Sequence, residues 1–512
     1  MVTKSNKKLC RMAVTVALSA SCSYAYANND EYITLIEMGD LHGTLVPHAA
    51  IMKNPDGSEY ESASAGGLAR LKTVVDDIRK DNPEAVLLST GDLTHGSAEA
   101  MFTVGDAMMI PINAFGIDVY TPGNWDFGYG AAVFRNRFAS FGPKPPLPGN
   151  IQVMSGYISC DDVPGIPGLT GGDYTCSESG NPTKGVIRAN FPTVAVNLYN
   201  NTVGLPLPDS LHGKRVLPAY EIVVRGDKKI AVIGLTASIV PQQADTFNIT
   251  FSFTQGIEEL PGIIDDVKDD PECGGDCLIV VQSELGLSQN IKIAQSFEDI
   301  DVMYSAHTHE VTLGALLVHD DDVTRTTPGQ PISKGELKQL HKGAAIVVET
   351  NRDMYVGRLD LVIDGGDIID FAWEAIPVDE SVDEDEDMAD LVAAMEENFV
   401  AGKDGIVKRH TFMPGGFIDP AVKGLQLVDD LDTIVGYTDT LLLRHSVLED
   451  TLNNFLADAI REVTSPVVQA SGVAGWENGV DISMANGFRF GNAVLPGRPC
   501  LLYTSPSPRD LN

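Results

Sequence analysis

Four short motifs in this chain place carboxylate, amide and imidazole side chains where they could hold metal ions. The first, Asp40-Leu-His42, follows the strand-like run Ile33 to Met38. The others, each after its own apolar run, are Gly91-Asp92, Gly123-Asn124 and His307-Thr-His309. A hard carboxylate beside a borderline imidazole suits a divalent cation. Asp-x-His alone is a weak signal, but donors that recur after four apolar runs favour a metal centre over unrelated structural residues.

The segments around the first motifs alternate strand, turn and amphipathic helix. Ile33 to Met38 and Ala85 to Ser89 have strand character, and Leu68 to Lys80 between them has the apolar spacing of a helix. This is a βαβ arrangement, whose parallel strands carry functional residues in loops at their carboxyl ends. Asp40 and Asp92 lie in such loops, so we expect them to lie close together.

Later segments continue the pattern. Tyr220 to Val224 and Lys229 to Leu235 predict a hairpin, which adds antiparallel strands to the parallel ones. The other predicted elements are helices at Met101 to Ala114 and Leu287 to Ser296, and strands at Val119 to Thr121, Leu278 to Gln282, Val302 to Ser305, Ala345 to Glu349 and Val356 to Ile363. Glu284 and His307 therefore also follow strands.

The composition limits the classes of partner. The chain has 512 residues, of which 43% are hydrophobic, and this length suits two domains. It has 71 acidic residues against 36 Lys and Arg, a formal charge of -35. Such a surface repels nucleic-acid polymers and anionic membranes, so neither is an expected partner. An anionic small molecule would need local positive charge, which bound metal ions would supply.

The first 27 residues predict an export signal. Basic residues precede the apolar stretch Met12 to Ala20, and Ala25-Tyr-Ala27 is a small-x-small cleavage site. The alternative is a membrane anchor, but the apolar stretch is too short to span a bilayer comfortably. We therefore expect a mature chain from near Asn28 that is periplasmic or secreted, with no membrane association after cleavage.

Two local cysteine pairs lie in the segment between the signal and the C-terminal tail. Cys160 with Cys176, and Cys273 with Cys277, would each close a small loop. The alternatives are free thiols or a cysteine-rich metal site. Because the export signal indicates an oxidising compartment, we expect two disulfides.

Composition shifts divide the chain beyond the signal into four segments. Residues 28–375 hold the four motifs and predict one catalytic domain. The acidic run Asp379 to Asp387 lies in a helical linker assigned to 376–430, because acidic residues suit a helix start. Residues 431–499 predict a second α/β unit with few residues for its own core, so it looks cut short. Residues 500–512 change character abruptly and are expected to be a non-native tail.

The order of the four motifs resembles that of the calcineurin-like metallophosphoesterases. Asn453-Asn454 and Asn486-Gly-Phe-Arg489 narrow the resemblance to the exported bacterial 5'-nucleotidases. The resemblance implies an α/β fold, a four-layer sandwich of two mixed sheets flanked by helices, with a truncated α/β C-terminal domain that binds the nucleoside. It also implies two divalent ions, Mn, Zn, Mg or Ca, about 3.5 to 4 Å apart.

The resemblance also assigns residues to roles. One ion would be held by Asp40, His42, Asp92 and His309. The other would be held by Asp92, Asn124, Glu284 and His307, so that Asp92 bridges the pair. The substrate would contact Asn486, Gly487, Phe488 and Arg489.

Three departures from the family pattern bear on catalysis. Trp125 and Gly128 stand where relatives have a His, which stabilises the transferring phosphoryl group, and its supporting Asp. A Trp donates one N–H but cannot protonate a leaving group. Glu284 replaces the usual His, a change that still permits Mn, Mg or Zn to bind. The chain also stops before the aromatic residues that follow Arg489 in relatives.

His95 is a candidate replacement for the missing acid, since it lies three residues beyond Asp92. We therefore place Asp92, Asn124 and His95 in the catalytic set. The other interpretation of His95, a loop histidine with no role, is favoured by the frequency of histidines on protein surfaces. For Trp125, a packing role at the rim of the site is favoured over a role as a substrate platform.

Three functions are compatible with these residues. The first is a two-metal phosphohydrolase of the 5'-nucleotidase type that acts on a nucleotide or another small phosphate ester. The second is a thiosulfate-cleaving hydrolase of sulfur oxidation, a group that also has a Trp in this loop. The third is a non-catalytic relative that binds metal.

Overall fold

The computed structural model of the chain describes a defined set of residues. They are 31–97, 99–100, 105–139, 187–202, 208–243, 245–328, 345–364, 366–396, 433–443, 450–472, 478–480, 482–484 and 493–501. The predicted export signal, Cys160 with Cys176, and residues 486–489 lie outside this set.

The described residues include eighteen strands. The first nine are β1 (Glu31–Gly39), β2 (His48–Lys53), β3 (Glu59–Ala65), β4 (Val86–Gly91), β5 (Val119–Pro122), β6 (Leu198–Asn200), β7 (Tyr220–Arg225), β8 (Lys228–Leu235) and β9 (Phe251–Phe253). The others are β10 (Leu278–Ser283), β11 (Val302–Ser305), β12 (Leu316–His319), β13 (Asp322–Arg325), β14 (Ala345–Glu349), β15 (Tyr355–Asp364), β16 (Asp367–Pro377), β17 (Ile434–Tyr437) and β18 (Pro499–Leu501).

The helices lie between the strands and after them. They are α1 (Leu68–Asp81), α2 (Asp106–Asn113), α3 (Ala131–Phe138), α4 (Asp245–Asn248), α5 (Leu260–Asp269), α6 (Leu287–Ser296), α7 (Glu386–Met395) and α8 (Thr451–Ala470). The predicted helix and strand positions agree with these bounds to within a few residues, except that α2 begins at Asp106 and residues 101–104 are not described.

Two mixed sheets form the centre of the molecule. The five-stranded sheet has the order β16-β15-β1-β4-β5, in which β1, β4 and β5 are parallel. The seven-stranded sheet has the order β13-β12-β14-β11-β10-β8-β7, in which β14, β11, β10 and β8 are parallel. The predicted hairpin of β7 and β8 is present at the edge of the second sheet. Antiparallel strands at the edges make both sheets mixed, as expected.

The two sheets pack face to face and helices cover their outer faces. On β1, Ile33 and Leu35 are buried against the other sheet, whereas Ile36 and Met38 are buried on the helix side. Burial on both faces explains why the apolar residues of this strand are not confined to alternate positions. Helix α1 lies on the outer face of the five-stranded sheet, and α5 and α6 on that of the seven-stranded sheet. This is the predicted four-layer sandwich.

Helix α7 follows the acidic run and packs in the outer core beside α1. Asp385 caps the helix, because its Oδ1 accepts a hydrogen bond from the Met388 amide at 2.8 Å. Its apolar side chains, Met388, Leu391, Val392 and Met395, are buried. The start of the predicted linker therefore contributes to the core that α1 also lines.

Two smaller sequence predictions fall on described residues. Cys273 and Cys277 form the expected disulfide. Within the part of the chain that the structure describes, no helix combines the length and apolarity needed to cross a membrane.

The described residues of the second unit include one long helix and a two-stranded ribbon that extends into the predicted tail. β17 pairs with β18 in an antiparallel ribbon, so Cys500 and Leu501, at the start of the predicted tail, take part in a strand. On the long helix α8, Leu452 and Leu456 are buried, while Val463 and Val467 are 71% and 69% exposed.

Candidate metal centre

The candidate ligands lie where the parallel strands of both sheets end. Asp40, Asp92 and Glu284 each come one residue after a strand, namely β1, β4 and β10. Asn124 and His307 come two residues after β5 and β11. The two sheets meet at this edge, since Asp40 Oδ2 accepts a hydrogen bond from the His307 amide at 2.6 Å. The expectation that these loops converge is therefore correct.

Four of the candidate ligands have a left-handed backbone. The φ angles are 51° at Asp40, 49° at His42, 83° at His307 and 52° at His309. Side chains other than glycine rarely adopt this conformation, which typically persists at functional sites where surrounding contacts hold it. Here the Asp40 amide donates to Thr90 O at 2.9 Å and the His42 amide donates to Asp92 O at 2.8 Å.

The candidate ligands form two groups, and the ligand atoms of the first group, from Asp40, His42 and His309, lie close together. Asp40, His42 and His309 each offer an atom within 4.8 Å of the other two. The Nε2 atoms of His42 and His309 are 2.8 Å apart, and His42 Nε2 lies 3.5 Å from Asp92 Oδ2. Imidazole nitrogens and carboxylate oxygens that converge in this way match the donor set of a transition-metal site.

A second group shares Asp40 with the first. Asp40, Asp92 and Glu284 offer carboxylate oxygens that lie within 4.8 Å of one another. Glu284 Oε1 lies 3.2 Å from His307 Nδ1. Glu284 Oε2 and Asn124 Oδ1 are buried acceptors without a hydrogen-bond partner. An unsatisfied buried acceptor costs about 1–3 kcal/mol, so a cation bound here would satisfy both atoms, and these residues fit a divalent ion.

The electrostatics of the site favour the same conclusion. Burial, followed by the charge of Glu349, raises the pKa of Asp40 to about 7, although the Asp92 and His307 amides hydrogen-bond to it. Burial and neighbouring carboxylates raise the pKa of Asp92 and of Glu284 well above the usual range. Three carboxyl groups so close together repel one another when ionised. Bound cations would remove that repulsion.

Gly91 and Gly123 lie so close to carboxylates of the site that a side chain at either position would clash with them. A Cβ on Gly91 would lie 2.2 Å from Asp40 Oδ1 and 2.7 Å from Glu284 Oε2. A Cβ on Gly123 would lie 2.3 Å from Asp92 Oδ1. All three distances are far below van der Waals contact, so each glycine leaves room for a carboxylate of the site.

We expect Gly123→Ala to lower the affinity for divalent metal by about 10- to 100-fold, the range seen when residues that orient ligands are changed. The new methyl group would displace the Asp92 carboxylate. Titration calorimetry of the metal-free protein measures the effect. Gly262→Ala is the matched control, because a Cβ there meets nothing within 4 Å; equal metal affinity in both variants would contradict the steric argument.

Two carboxylates that the sequence did not single out hold the ligand loops in place. The first is Asp126, whose Oδ1 accepts hydrogen bonds from the Thr94 amide at 3.0 Å and the Thr94 hydroxyl at 2.7 Å. Its Oδ2 accepts from the Gly123 amide at 3.1 Å and from the hydroxyl of Tyr120. The loops after β4 and β5 are thereby joined. The signal in the sequence was the acidic residue of Gly123-Asn-Trp-Asp126, two places after Asn124.

The second is Glu349, at the end of β14, which holds the His307-Thr-His309 loop. Its Oε1 accepts from the Thr308 hydroxyl at 2.8 Å and the Glu310 amide at 2.9 Å, and its Oε2 accepts from the Ser305 hydroxyl. Its position at the end of a predicted strand was a usable signal.

Trp125 and His95 lie side by side. Their rings stack with centroids 4.7 Å apart, and His95 also lies against Tyr129. The Trp125 amide donates to Asp92 Oδ1 at 2.6 Å, a contact that does not depend on the side chain. His95 is fully buried, so it is not a surface histidine. A Cβ on Gly128 would lie 3.3 Å from His95 Cδ2, so the imidazole occupies the space beside this glycine.

Comparisons with known proteins agree with this geometry. The family described as calcineurin-like phosphoesterase matches residues 33–227. A probable 5'-nucleotidase of Treponema pallidum is 23% identical over 280 residues, which cover 55% of this chain and 37% of that protein. The protein UshA of Salmonella pullorum is 22% identical over 380 residues, 71% of this chain and 55% of that protein. The chain thus spans about half the length, or less, of these curated relatives.

Two solved structures have a similar fold. A sulfate thiohydrolase, SoxB, of Thermus thermophilus aligns with a TM-score of 0.61 at 17% identity and covers 92% of this chain and 72% of its own. A 5'-nucleotidase precursor, also of Thermus thermophilus, aligns with a TM-score of 0.55 at 17% identity. The alignment covers 85% of this chain and 68% of the precursor's chain. At this identity the likeness concerns the fold alone.

Proposed function

From the match of residues 33–227 to the calcineurin-like phosphoesterase family, we propose that the protein is an exported, metal-dependent phosphohydrolase that converts nucleotide esters to nucleoside and phosphate. The observation that supports this most is the convergence of two donor groups on one edge of the sandwich, with Asp40 common to both. Proteins of this family bind divalent metals, and the carboxylate and imidazole donors suit Mn, Mg, Zn or Ca.

The residues divide between two cation positions. The first would be held by Asp40, His42 and His309, with Asp92 beside His42. The second would be held by Asp40, Asp92 and Glu284, with Asn124 and His307 next to them. When bound, divalent cations act as Lewis acids that neutralise phosphoryl oxygens.

The remaining residues orient and enclose this donor set. The Trp125 amide fixes Asp92, and the His307 amide fixes Asp40. The side-chain amide oxygen of Asn124 is buried and accepts no hydrogen bond from the protein. Because these groups are held before substrate binds, little reorganisation is needed in the transition state.

We propose His95 as the residue that replaces the missing acid of the family. Its imidazole stacks on Trp125, the side chain that stands where relatives have their histidine. General acid catalysis contributes about 10²- to 10⁴-fold, so His95→Ala is expected to lower kcat for phosphate release by about 10²-fold with unchanged metal content. Steady-state kinetics and elemental analysis measure the two quantities.

A second variant separates chemistry from packing at this position. His95→Phe retains a ring that can stack on Trp125 but has no ionisable nitrogen. If His95→Phe has wild-type kcat, the imidazole is a packing residue and its catalytic role is refuted.

The nucleotide substrate is proposed from the relatives. The Treponema pallidum and Salmonella pullorum proteins are a probable 5'-nucleotidase and UshA. In this chain Asn486, Gly487, Phe488 and Arg489 are the proposed nucleoside contacts.

A thiohydrolase activity is the second candidate, and Trp125 is the observation that favours it. A Trp at this position leaves no imidazole to stabilise the phosphoryl group, and the SoxB structure shares the fold over most of this chain. Turnover of a carrier-bound sulfur conjugate, with none of nucleoside monophosphates, would establish this activity in place of the first.

A phosphate-release screen combined with metal analysis tests the proposed function. The purified chain is assayed with nucleoside monophosphates and simple phosphate esters, before and after chelation. We expect about two divalent ions per chain and release that stops on chelation and returns with Mn. Bound metal without hydrolysis of any ester would identify the protein as a non-catalytic relative.

A further inference from the structure

A layer of polar side chains lies between the two sheets, directly behind the metal centre. On β1 the residues that face the other sheet are Ile33 and Leu35, and the alternation of a strand puts Glu37 next in that series. On β11 the same alternation leads from Val302 to Tyr304, and both pack in the inter-sheet core. The inter-sheet core is therefore apolar along most of its length and becomes polar where the strands end.

Most of this layer is hydrogen-bonded within the protein. Gln282 Nε2 donates to Ser89 O and to Thr90 Oγ1, both at 2.9 Å, and Gln282 Oε1 accepts from Thr121 Oγ1 at 3.2 Å. Thr350 Oγ1 accepts from the Gly39 amide at 3.1 Å. These bonds connect the two sheets, so the layer is a built part of the fold.

Glu37 and Tyr304 differ from the rest of the layer. Both are 0% exposed. Both carboxylate oxygens of Glu37 and the hydroxyl of Tyr304 lack a hydrogen-bond partner. Buried polar atoms are nearly always satisfied by protein, water or an ion, because leaving them unsatisfied is costly. The three orphaned oxygens therefore indicate an occupant.

The space beside Gly39 is lined by oxygen atoms. The position of a Cβ on Gly39 would be 3.0 Å from Thr350 Oγ1, 3.4 Å from Thr350 O and 3.8 Å from Glu37 Oε1. A glycine is needed at this position, because a Cβ would be in tight contact with the Thr350 hydroxyl. Carboxylate, hydroxyl and carbonyl oxygens, with no nitrogen or sulfur among them, are the donors of hard cations.

We propose that Glu37, Tyr304 and Thr350 bind one monovalent cation, Na⁺ or K⁺, between the two sheets. The site has one carboxylate of its own, so a single positive charge balances it. Burial first, then the charges of Glu349 and Asp40, raise the pKa of Glu37 well above its usual range. The neutral acid is therefore favoured without a counter-charge, and a bound cation would stabilise the ionised form. Tyr304 lies opposite Val348 in the register of β11 and β14, two residues before Thr350, so the two hydroxyls are on the same face of the sheet.

Thermal unfolding of the purified chain in different salts tests the proposal without any assay of activity. The melting temperature is measured in sodium, potassium and choline chloride at one ionic strength, both with chelator and with saturating Mn. A ligand that binds only the folded state raises stability, and we expect one alkali cation to raise Tm by about 2–4 °C over choline.

Substitutions test whether the difference in Tm between salts arises at Glu37 and Tyr304. Glu37→Gln keeps the shape but removes the charge, and it should abolish the difference between salts. Tyr304→Phe should reduce it. Glu298→Gln, an exposed site, is the control and should retain it. Equal Tm values in all three salts, or a difference that persists in Glu37→Gln, would overturn the proposal.

Crystals of the wild-type protein soaked in rubidium give a result even if Glu37→Gln does not fold. We expect an anomalous peak within coordination distance of Glu37 and Tyr304. A water there, together with a Glu37→Gln protein more stable than wild type in every salt, would instead establish Glu37 as a neutral acid. Neither outcome depends on the proposed phosphohydrolase activity.

Discussion

Asp92→Asn is expected to abolish phosphate release, with a fall in kcat of about 10³-fold or more, because it removes several kcal/mol of metal-dependent stabilisation. Asp92 lies 3.5 Å from His42, and its carboxylate converges with those of Asp40 and Glu284. An Asn has the same shape, but one of its two terminal atoms cannot bind a metal. Kinetics and elemental analysis of the variant measure the loss of rate and of metal.

The stability of the same variant provides an internal check. Burial raises the pKa of Asp92, so its ionised form is unfavourable when no cation is bound. The neutral amide should leave the metal-free protein at least as stable as wild type. Asp265→Asn, on the exposed face of α5, is the control that should change neither rate nor metal content. Wild-type activity of Asp92→Asn would remove the two-ion mechanism from consideration.

Asp126→Ala is expected to have the second-largest effect, a loss of about 3 kcal/mol or more in unfolding free energy, because each unsatisfied buried group costs about 1–3 kcal/mol. The substitution would leave the Thr94 and Gly123 amides and two hydroxyls without their acceptor in a fully buried place. Denaturant unfolding measures the change, and metal titration should show an affinity about 10- to 100-fold lower because the two ligand loops separate.

Asp126→Asn separates the charge of this residue from its hydrogen bonds. It keeps one acceptor oxygen, which can still serve Thr94, so its destabilisation should be smaller than that of the alanine variant. If both variants bind metal with wild-type affinity, Asp126 does not position the ligand loops. If the asparagine variant is the less stable of the two, the hydrogen-bond argument fails.

The strands and ligands were predictable because they depend on local patterns. Apolar runs predict strands, and parallel strands bring their carboxyl ends to one edge, so Asp40, Asp92 and Glu284 could be placed together before any coordinate was known. The helix at Leu68 was predictable for the same reason, since the apolar residues of α1 recur with helical spacing and are buried. The burial of His95 was not, because it depends on Trp125 and Tyr129 packing around the ring.

By itself the sequence determined the kind of sheet, the order of the motifs and the donor types, since these follow from residues that are neighbours along the chain. Only the tertiary structure decided which atoms meet: His42 with His309, separated by 267 positions, or Gln282 with Thr90, separated by 192. It also revealed that Gly123 must lack a side chain and that Glu37 is buried without a protein partner. These facts depend on how segments that are distant in the sequence pack together, and local sequence patterns carry no information on that packing.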